Sequence, residues 1–314
     1  RNSAHLPLRK VAFWLAFFRV ISSLAAMQRL LPLRRSVVFA SRRRLLSLQV
    51  FEERRQLWDA EARRQLAQRE SQRSTAEEPI LVSVRRGAAE LFSFPGLRGR
   101  TTPLDVWNAW QQQQQQQPSG SAIKTPLVAE VAGRPHDLTR VLSGSEAVVA
   151  LSFHDFGSPL GRQTFWHSSA HLLGHALEQL RSSETHTALL CDGPALENGG
   201  FFYDSRVEPD RTRGSSGSSA SQVFLEDRST LSNGVSHAEL AKLTATMRWM
   251  SRQAFAFERL EVSRDLALRM FGYNYFKLAL LDSLAADATI SLYRCGPFID
   301  LCAGPHVPST SLVR

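Results

Sequence analysis

Residues 163–180 read QTFWHSSAHLLGHALEQL. Phe165, Ala170, Leu173, Ala176 and Leu180 recur at helical spacing, which predicts a helix with one apolar face. Inside it, His167 and His171 stand four residues apart, so on a helix their imidazoles lie one above the other and converge on one point. Such a pair arises by chance on many helices and is a weak signal alone. It gains weight from Cys302-Ala-Gly-Pro-His306, about 130 residues later. That segment puts a thiol and a third imidazole in a Gly-Pro turn, where they can close the same point from the opposite side. Three histidines and one cysteine are also a plausible tetrahedral zinc set.

Working outward, Pro79 to Phe153 has a different character, with short β-like runs (ILVSV, AELFSF, PLVAEV, AVVALSF) separated by turn residues. Between the second and third runs, Thr102-Pro103-Leu104-Asp105-Val106-Trp107 opens a short helix, with Thr and Pro at the cap and first turn. Strand, strand, helix, strand, strand is the order of a small mixed α+β unit. The glutamine run Gln111–Gln117, with the Pro-Ser-Gly-Ser after it, reads as an insertion (111–122) that loops out. A second insertion is read over 205–236, where RTRGSSGSSASQ has no periodicity. Helical periodicity resumes over Ala238–Phe257 and Ser263–Ala285, and a β-like stretch, Thr289–Arg294, leads into CGPFIDLCAGPH.

Ahead of the β-like runs, FEERRQLWDAEARRQLAQRESQR (51–73) mixes acids and bases at i,i+4 spacing and predicts a solvated helical lead-in over 51–78. Residues 1–51 contain ten Arg or Lys and no Asp or Glu. Much of the excess of 38 basic over 29 acidic residues, and of the pI of about 10.2, therefore sits in this basic leader. Composition by itself makes nucleic acid only a weak expectation. From Met27 the leader has the Arg- and Ser-rich, acid-free composition of an organellar transit peptide, or of a disordered arm. The apolar run Val11–Met27 is interrupted by Arg19 and falls short of the ~20 mostly apolar residues of a membrane span, so no membrane is expected.

The 314 residues suffice for two modest domains. Three cysteines are too few and odd in number for a disulfide framework, which argues for a reducing compartment. Cys191 and Cys295 read as small buried residues, His175 as a packing or surface residue rather than a third helical ligand, and His136 and His154 as chemically silent.

HSSAHLLGHALEQL (167–180) and YRCGPFIDLCAGPH (293–306) closely resemble the two signature segments of the threonyl-tRNA synthetase editing domain. Between them, GPALENGGFFYD (193–204) and FERLEVSRDLALRMFGYNYFKLALLD (257–282) are similar to the intervening family segments. Upstream, TTPLDV (101–106) and KTPLVAEVAGRPHDLTRVL (124–142) resemble the TGS domain of these enzymes, and FEERRQLW resembles the eukaryotic lead-in. The resemblance runs in order over about residues 51–314.

It implies an α+β chain: a ubiquitin-like β-grasp TGS domain over 79–153, then an α+β threonyl/alanyl-tRNA synthetase editing domain, the second additional domain, over 154–314. It implies hydrolysis of mischarged Ser-tRNA(Thr), with tRNA(Thr) as partner. His167, His171, Cys302 and His306 match the site core, Lys277 and Asp300 further catalytic positions, and Tyr203 a substrate-binding one. No metal or other cofactor is expected for editing: related alanyl-type domains hold zinc on a similar set, whereas the threonyl family works with water. No arginine-bearing motif 2, glycine-rich motif 3 or anticodon-binding domain is recognised in the sequence. The chain is therefore expected to be the front portion of a synthetase without its aminoacylation core, where ATP, zinc and the dimer contact of the family reside. A free-standing editing hydrolase and a non-catalytic tRNA-binding module are the alternatives. The lead-in implies the cytoplasm, and a genuine transit peptide would imply a mitochondrion or plastid. The sequence departs from the family at Ala303, where arginine is usual, and by an additional glycine near Gly199 and Gly200, which is expected to shift Tyr203.

Overall fold

A computed structural model describes residues 47–71, 78–116, 124–183, 186–193, 199–209 and 235–314. Most of the basic leader, including the apolar run 11–27, lies outside the described residues, as do 117–122 of the first insertion and 210–234 of the second.

The N-terminal half of the described chain is built on a five-stranded sheet. Strands β1 (Pro79–Arg86), β2 (Ala89–Leu97), β3 (Val128–Val131), β4 (Arg134–His136) and β5 (Val148–His154) lie in the order β2-β1-β5-β3-β4. β1 and β5 are parallel at the centre, and each is flanked by an antiparallel partner. This is the strand arrangement expected of a β-grasp unit, with β4 a short strand that the sequence pattern did not signal. Ile80, Val82 and Val84 of β1 alternate into one core with Val106, Leu138, Leu142 and Leu151. Helix α2 (Pro103–Gln116) starts at a reciprocal cap: Thr102 N–H donates to Asp105 Oδ2 (2.8 Å) and Asp105 N–H to Thr102 Oγ1 (3.2 Å).

The glutamines do not loop out where the insertion begins, because α2 continues to Gln116. Glutamine is a good helix former, so a glutamine run appended to a helix extends it.

Helix α1 (Ser47–Ser71) corrects a second expectation. It is not solvated all round, because Arg54 is 2% and Trp58 1% exposed. Trp58 joins a core with Leu260, Met270, Phe271, Leu281 and Ile299 from the C-terminal half. The many charged residues hid this face, since charge at i,i+4 says nothing about what packs beneath it.

Helix α3 (Pro159–Arg181) is capped by Ser158, whose hydroxyl accepts from Gly161 N–H. Ala170 and Ala176 are buried, with Phe165, Leu173 and Leu180 packed against the same cluster, as the periodicity predicts. Burial goes further and takes in Ser168, Ser169, His171 and Glu178. β6 (His186–Leu190) and β7 (Ser205–Pro209) form an antiparallel pair, so the first five residues of the second insertion are a strand. Helix α4 (His237–Gln253) ends at left-handed Ala254, short of the predicted end at Phe257, and FERLEV then forms β8 (Phe257–Val262) between the two predicted helical stretches. β8 lies between two cores, burying Phe257 on one face with Ala170 and Phe298 and Leu260 on the other with Met270 and Ile299.

The predicted helix 263–285 is two helices, α5 (Arg264–Phe271) and α6 (Tyr275–Ser283). Gly272-Tyr273-Asn274 separates them, and the Asn274 side chain caps α6 by accepting from Phe276 and Lys277 N–H. β9 (Ile290–Cys295) and β10 (Phe298–Leu301) complete an antiparallel sheet in the order β10-β9-β8.

Candidate functional site

α3 and the irregular segment that follows β10 meet. Cys302 Sγ lies 3.2 Å from His167 Nε2 and 3.3 Å from His306 Nε2. One donor atom from each of His167, His171, Cys302 and His306 falls within 4.8 Å of the others. The His306 ring stands 4.3 Å from that of His167 and 4.2 Å from that of His171. The four residues singled out by spacing therefore share one point.

Hydrogen bonding sets the tautomer of His306. The Ser168 hydroxyl gives its hydrogen to the Thr164 carbonyl (2.8 Å), so toward His306 Nδ1 (3.0 Å) it can only accept. Nδ1 thus carries the hydrogen, and the Nε2 lone pair faces the thiol. His167 bonds through its ring to the Pro305 carbonyl and presents Nε2 to the same sulfur. A thiol has one hydrogen and two imidazole nitrogens face it, so one lone pair is left to take a proton from elsewhere. Burial lowers the pKa of His167 below the ordinary histidine value, with carboxylates such as Asp300 acting the other way. Burial, then the charges of His171 and His167, holds His306 well below it. Both are neutral imidazoles at pH 7. His171 Nδ1 is buried and has no partner among the described residues.

Beside the ring lies a charged cluster. Lys277 Nζ is 2.8 Å from Asp300 Oδ1 and donates to the Tyr203 hydroxyl at 3.3 Å, while that hydroxyl donates to Asp300 Oδ2. Lys277 and Asp300 are 3% and 4% exposed, so this is a buried ion pair and not a surface contact. Burial works to raise the Asp300 pKa, but the charges of Lys277 and His171 and the bonds from Lys277 and Tyr203 hold it below the ordinary value. Tyr203 is in place despite the additional glycine: Gly199 and Gly200 absorb the turn at φ 99° and 96°. Its ring packs so closely on Gly193 that a Cβ there would lie 2.4 Å away.

His175 is outside the ring and packs on Phe298 and Trp249. Cys295 is buried and Cys191 half-buried. Spacing missed four contributors: Ser168, Asp137, Arg54 and Asp192. Ser168 sits inside the quoted HSSAH but carries no signal of its own. Asp137 lies in a loop of the N-terminal unit and reaches Tyr293 and His306. Arg54 of α1 forms a buried bidentate pair with Glu178 of α3 (3.0 and 2.8 Å). Asp192 is a half-buried carboxylate whose charge acts on Lys277 and His167. A cleft of about 450 Å³ opens on the N-terminal sheet, lined by Arg85, Arg86, Lys124 and His154 among others, and includes none of the seven predicted site residues.

The donor set was compared with zinc geometry. Zn–N of ~2.0–2.1 Å and Zn–S of ~2.3 Å in a tetrahedron give donor separations of roughly 3.3–3.6 Å. The two sulfur-to-nitrogen distances, 3.2 and 3.3 Å, are close to that, and the orphaned His171 nitrogen is what an ion or a water would satisfy. The residues present fit the metal.

Residues 290–314, which include Cys302 and His306, match the family described as "Threonyl and Alanyl tRNA synthetase second additional domain". The chain is 35% identical over 248 residues to "Threonine--tRNA ligase, mitochondrial 1" of Arabidopsis thaliana, covering 79% of this chain and 29% of that protein. It is 35% identical over 216 residues to "Threonine--tRNA ligase 2, cytoplasmic" of Homo sapiens, covering 69% and 23%. To the human "Threonine--tRNA ligase, mitochondrial" it is 35% identical over 222 residues, covering 70% and 26%. The chain spans less than a third of the length of these relatives. With the paired signature segments brought to one site on an α+β frame, the chain belongs to the threonyl-tRNA synthetase family.

Proposed function

We propose that this chain is part of a threonine-tRNA ligase and that its ring of three imidazoles and a thiol hydrolyses the ester of mischarged Ser-tRNA(Thr). The observation that carries this reading is the convergence of four donor atoms within 4.8 Å, two of them imidazole nitrogens competing for one thiol hydrogen. The imidazole the thiol does not serve takes a proton from water. The oxygen attacks the ester carbonyl carbon, the bond from that carbon to the ribose oxygen breaks, and the imidazolium returns its proton to the leaving oxygen. Products are free serine and deacylated tRNA.

Lys277 stabilises the developing oxyanion. An ammonium has three N–H groups, of which Asp300 and Tyr203 engage two. Asp300 aims it, and Tyr203, whose hydroxyl is used within the cluster, meets substrate through its ring. The physical need for such a site is that serine lacks one methyl of threonine, and a pocket rejects a missing methyl by only ~1–3 kcal/mol.

The sheet over 79–153 is read as a TGS domain and the remainder, from 154, as the editing domain, with tRNA(Thr) as partner and Arg85, Arg86 and Lys124 placed to neutralise phosphates. The reading takes water without a metal. Were zinc resident, His167, His171, Cys302 and His306 would hold it, and it would supply a water acidified to near neutrality. The lead-in supports a cytoplasmic reading and the basic leader an organellar one, and relatives carry both cytoplasmic and mitochondrial names. No helix among the described residues is long and apolar enough to cross a membrane.

The test is deacylation of Ser-tRNA(Thr) and Thr-tRNA(Thr) by the purified chain, with metal analysis on the same sample. Faster loss of serine than of threonine is expected, with well under one zinc per chain. A folded chain that deacylates neither sinks the hydrolytic reading in favour of a tRNA-binding module. About one zinc per chain overturns the metal-free reading.

A further inference from the structure

Cys302 to His306 carries two of the four ring donors yet belongs to no strand or helix, so its shape depends on what holds it from outside. Ser168 of α3 holds the His306 ring and the Val307 N–H, and a second buried hold comes from the other half of the protein. Asp137 follows β4 of the N-terminal sheet and is 6% exposed. Its Oδ1 accepts the backbone N–H of His306 at 2.8 Å, and its Oδ2 accepts the Tyr293 hydroxyl at 2.6 Å, both in buried surroundings.

Tyr293 acts on the same segment. Its ring meets the His306 imidazole edge-on at 4.6 Å. Its hydroxyl lies so near Gly304 that a Cβ there would be 2.1 Å away, and Gly304 itself sits at φ +72°. Asp137 is fixed in turn: its carbonyl accepts from the His136 ring at 2.8 Å and from Arg140 N–H at 3.3 Å. The two halves also share a core, since Leu127 of the N-terminal unit packs in the cluster that holds Ala170 and Leu172 of α3. A carboxylate taking two donors in a dry setting makes bonds roughly twice as strong as neutral ones.

We propose that Asp137 is a positioning residue for His306, so that the β-grasp unit completes the hydrolytic site instead of serving only as an attachment to it. This rests on the hydrolytic reading above for its effect on rate, but not for its effect on the backbone. The pair of bonds sets where the His306 ring stands relative to water and ester, and an imidazole misplaced by about 1 Å costs roughly 10²-fold in rate.

The experiment compares wild type with Asp137→Asn, Asp137→Ala and Tyr293→Phe in two assays. These are steady-state deacylation of Ser-tRNA(Thr) and hydrogen exchange at the His306 amide. Asparagine keeps one neutral acceptor for that amide, so kcat should fall only about five- to tenfold, against roughly 10²-fold for alanine, with KM within about twofold in both. Exchange at His306 should quicken in the same order. Should Asp137→Ala fail to fold, Asp137→Asn and Tyr293→Phe decide the matter through lower kcat at constant KM. Unchanged kcat in both, a rise in KM with kcat intact, or unaltered exchange at His306 in Asp137→Asn overturns the proposal. A wild-type chain inactive on Ser-tRNA(Thr) sinks the hydrolytic reading alone, and the exchange rates then still judge the clamp.

Discussion

The ring of imidazoles and thiol and the buried ion pairs near it are built on opposite principles. The ring of His167, His171, Cys302 and His306 is built of imidazoles and a thiol, and its inward-facing atoms outnumber the hydrogens available to them. The ion pairs Lys277–Asp300 and Arg54–Glu178 are charged, each cation facing a carboxylate within 3.0 Å. Burial favours neutral imidazole and disfavours lone charge, so one environment produces both outcomes. The lesson is that unsatisfied lone pairs mark where a substrate or water must enter, and that buried ion pairs near them fix the frame.

The sharpest way to break this comparison is in the ring. His167→Ala, the change at a half-buried ring member, should lower deacylation by about 10²–10⁴-fold. Its urea unfolding free energy should stay within about 1 kcal/mol of wild type, because no buried ion pair is lost. A stability loss as large as the rate loss would erase the distinction between ring and frame.

The converse change belongs to the frame. Arg54→Ala strands Glu178 in the core and should cost about 3–5 kcal/mol of stability. Deacylation per folded molecule should change only a few-fold, because Arg54 does not touch the ring. Replacing both partners, Arg54→Met with Glu178→Leu, should recover most of the loss in urea denaturation, since the pair's desolvation cost disappears with it. No recovery would mean that Arg54 is needed for its bond to the Tyr273 hydroxyl instead.

The smallest effect concerns His175, on the same helix but outside the ring and the ion pairs. Its pKa is lowered to about 4, mainly by burial and then by the charge of Arg54. A depressed folded value means that the unfolded chain binds more protons between pH ~6.5 and 4, so stability is full above ~6.5 and is lost as pH falls through that window. The loss amounts to on the order of 3 kcal/mol at most, and His175→Gln should flatten the fall in a pH series of unfolding midpoints. An unchanged slope would assign the acid sensitivity to the ring.

How much of this was legible beforehand differs by element. The short β-like runs such as ILVSV and AVVALSF, and Thr102-Pro103 at the cap and first turn, predicted the N-terminal sheet and its helix. The four-residue spacing of His167 with His171, and of Cys302 with His306, predicted the ring. These are local repeats, set by the backbone geometry of one helix or one turn. β8 was masked by helical periodicity on both sides, and α1 read as solvated because Arg54 looks like any other charge until Glu178 and Tyr273 are placed around it.

By itself, then, the sequence determined which residue types would converge and on which local frames, because side-chain direction follows from helix and strand periodicity. Only the tertiary structure decided which charges are buried, which hydrogen sits on which imidazole nitrogen, and that a carboxylate from the N-terminal sheet holds His306. Those depend on partners 124 to 169 residues away in the chain, whose meeting is set by packing of the whole and by no local pattern.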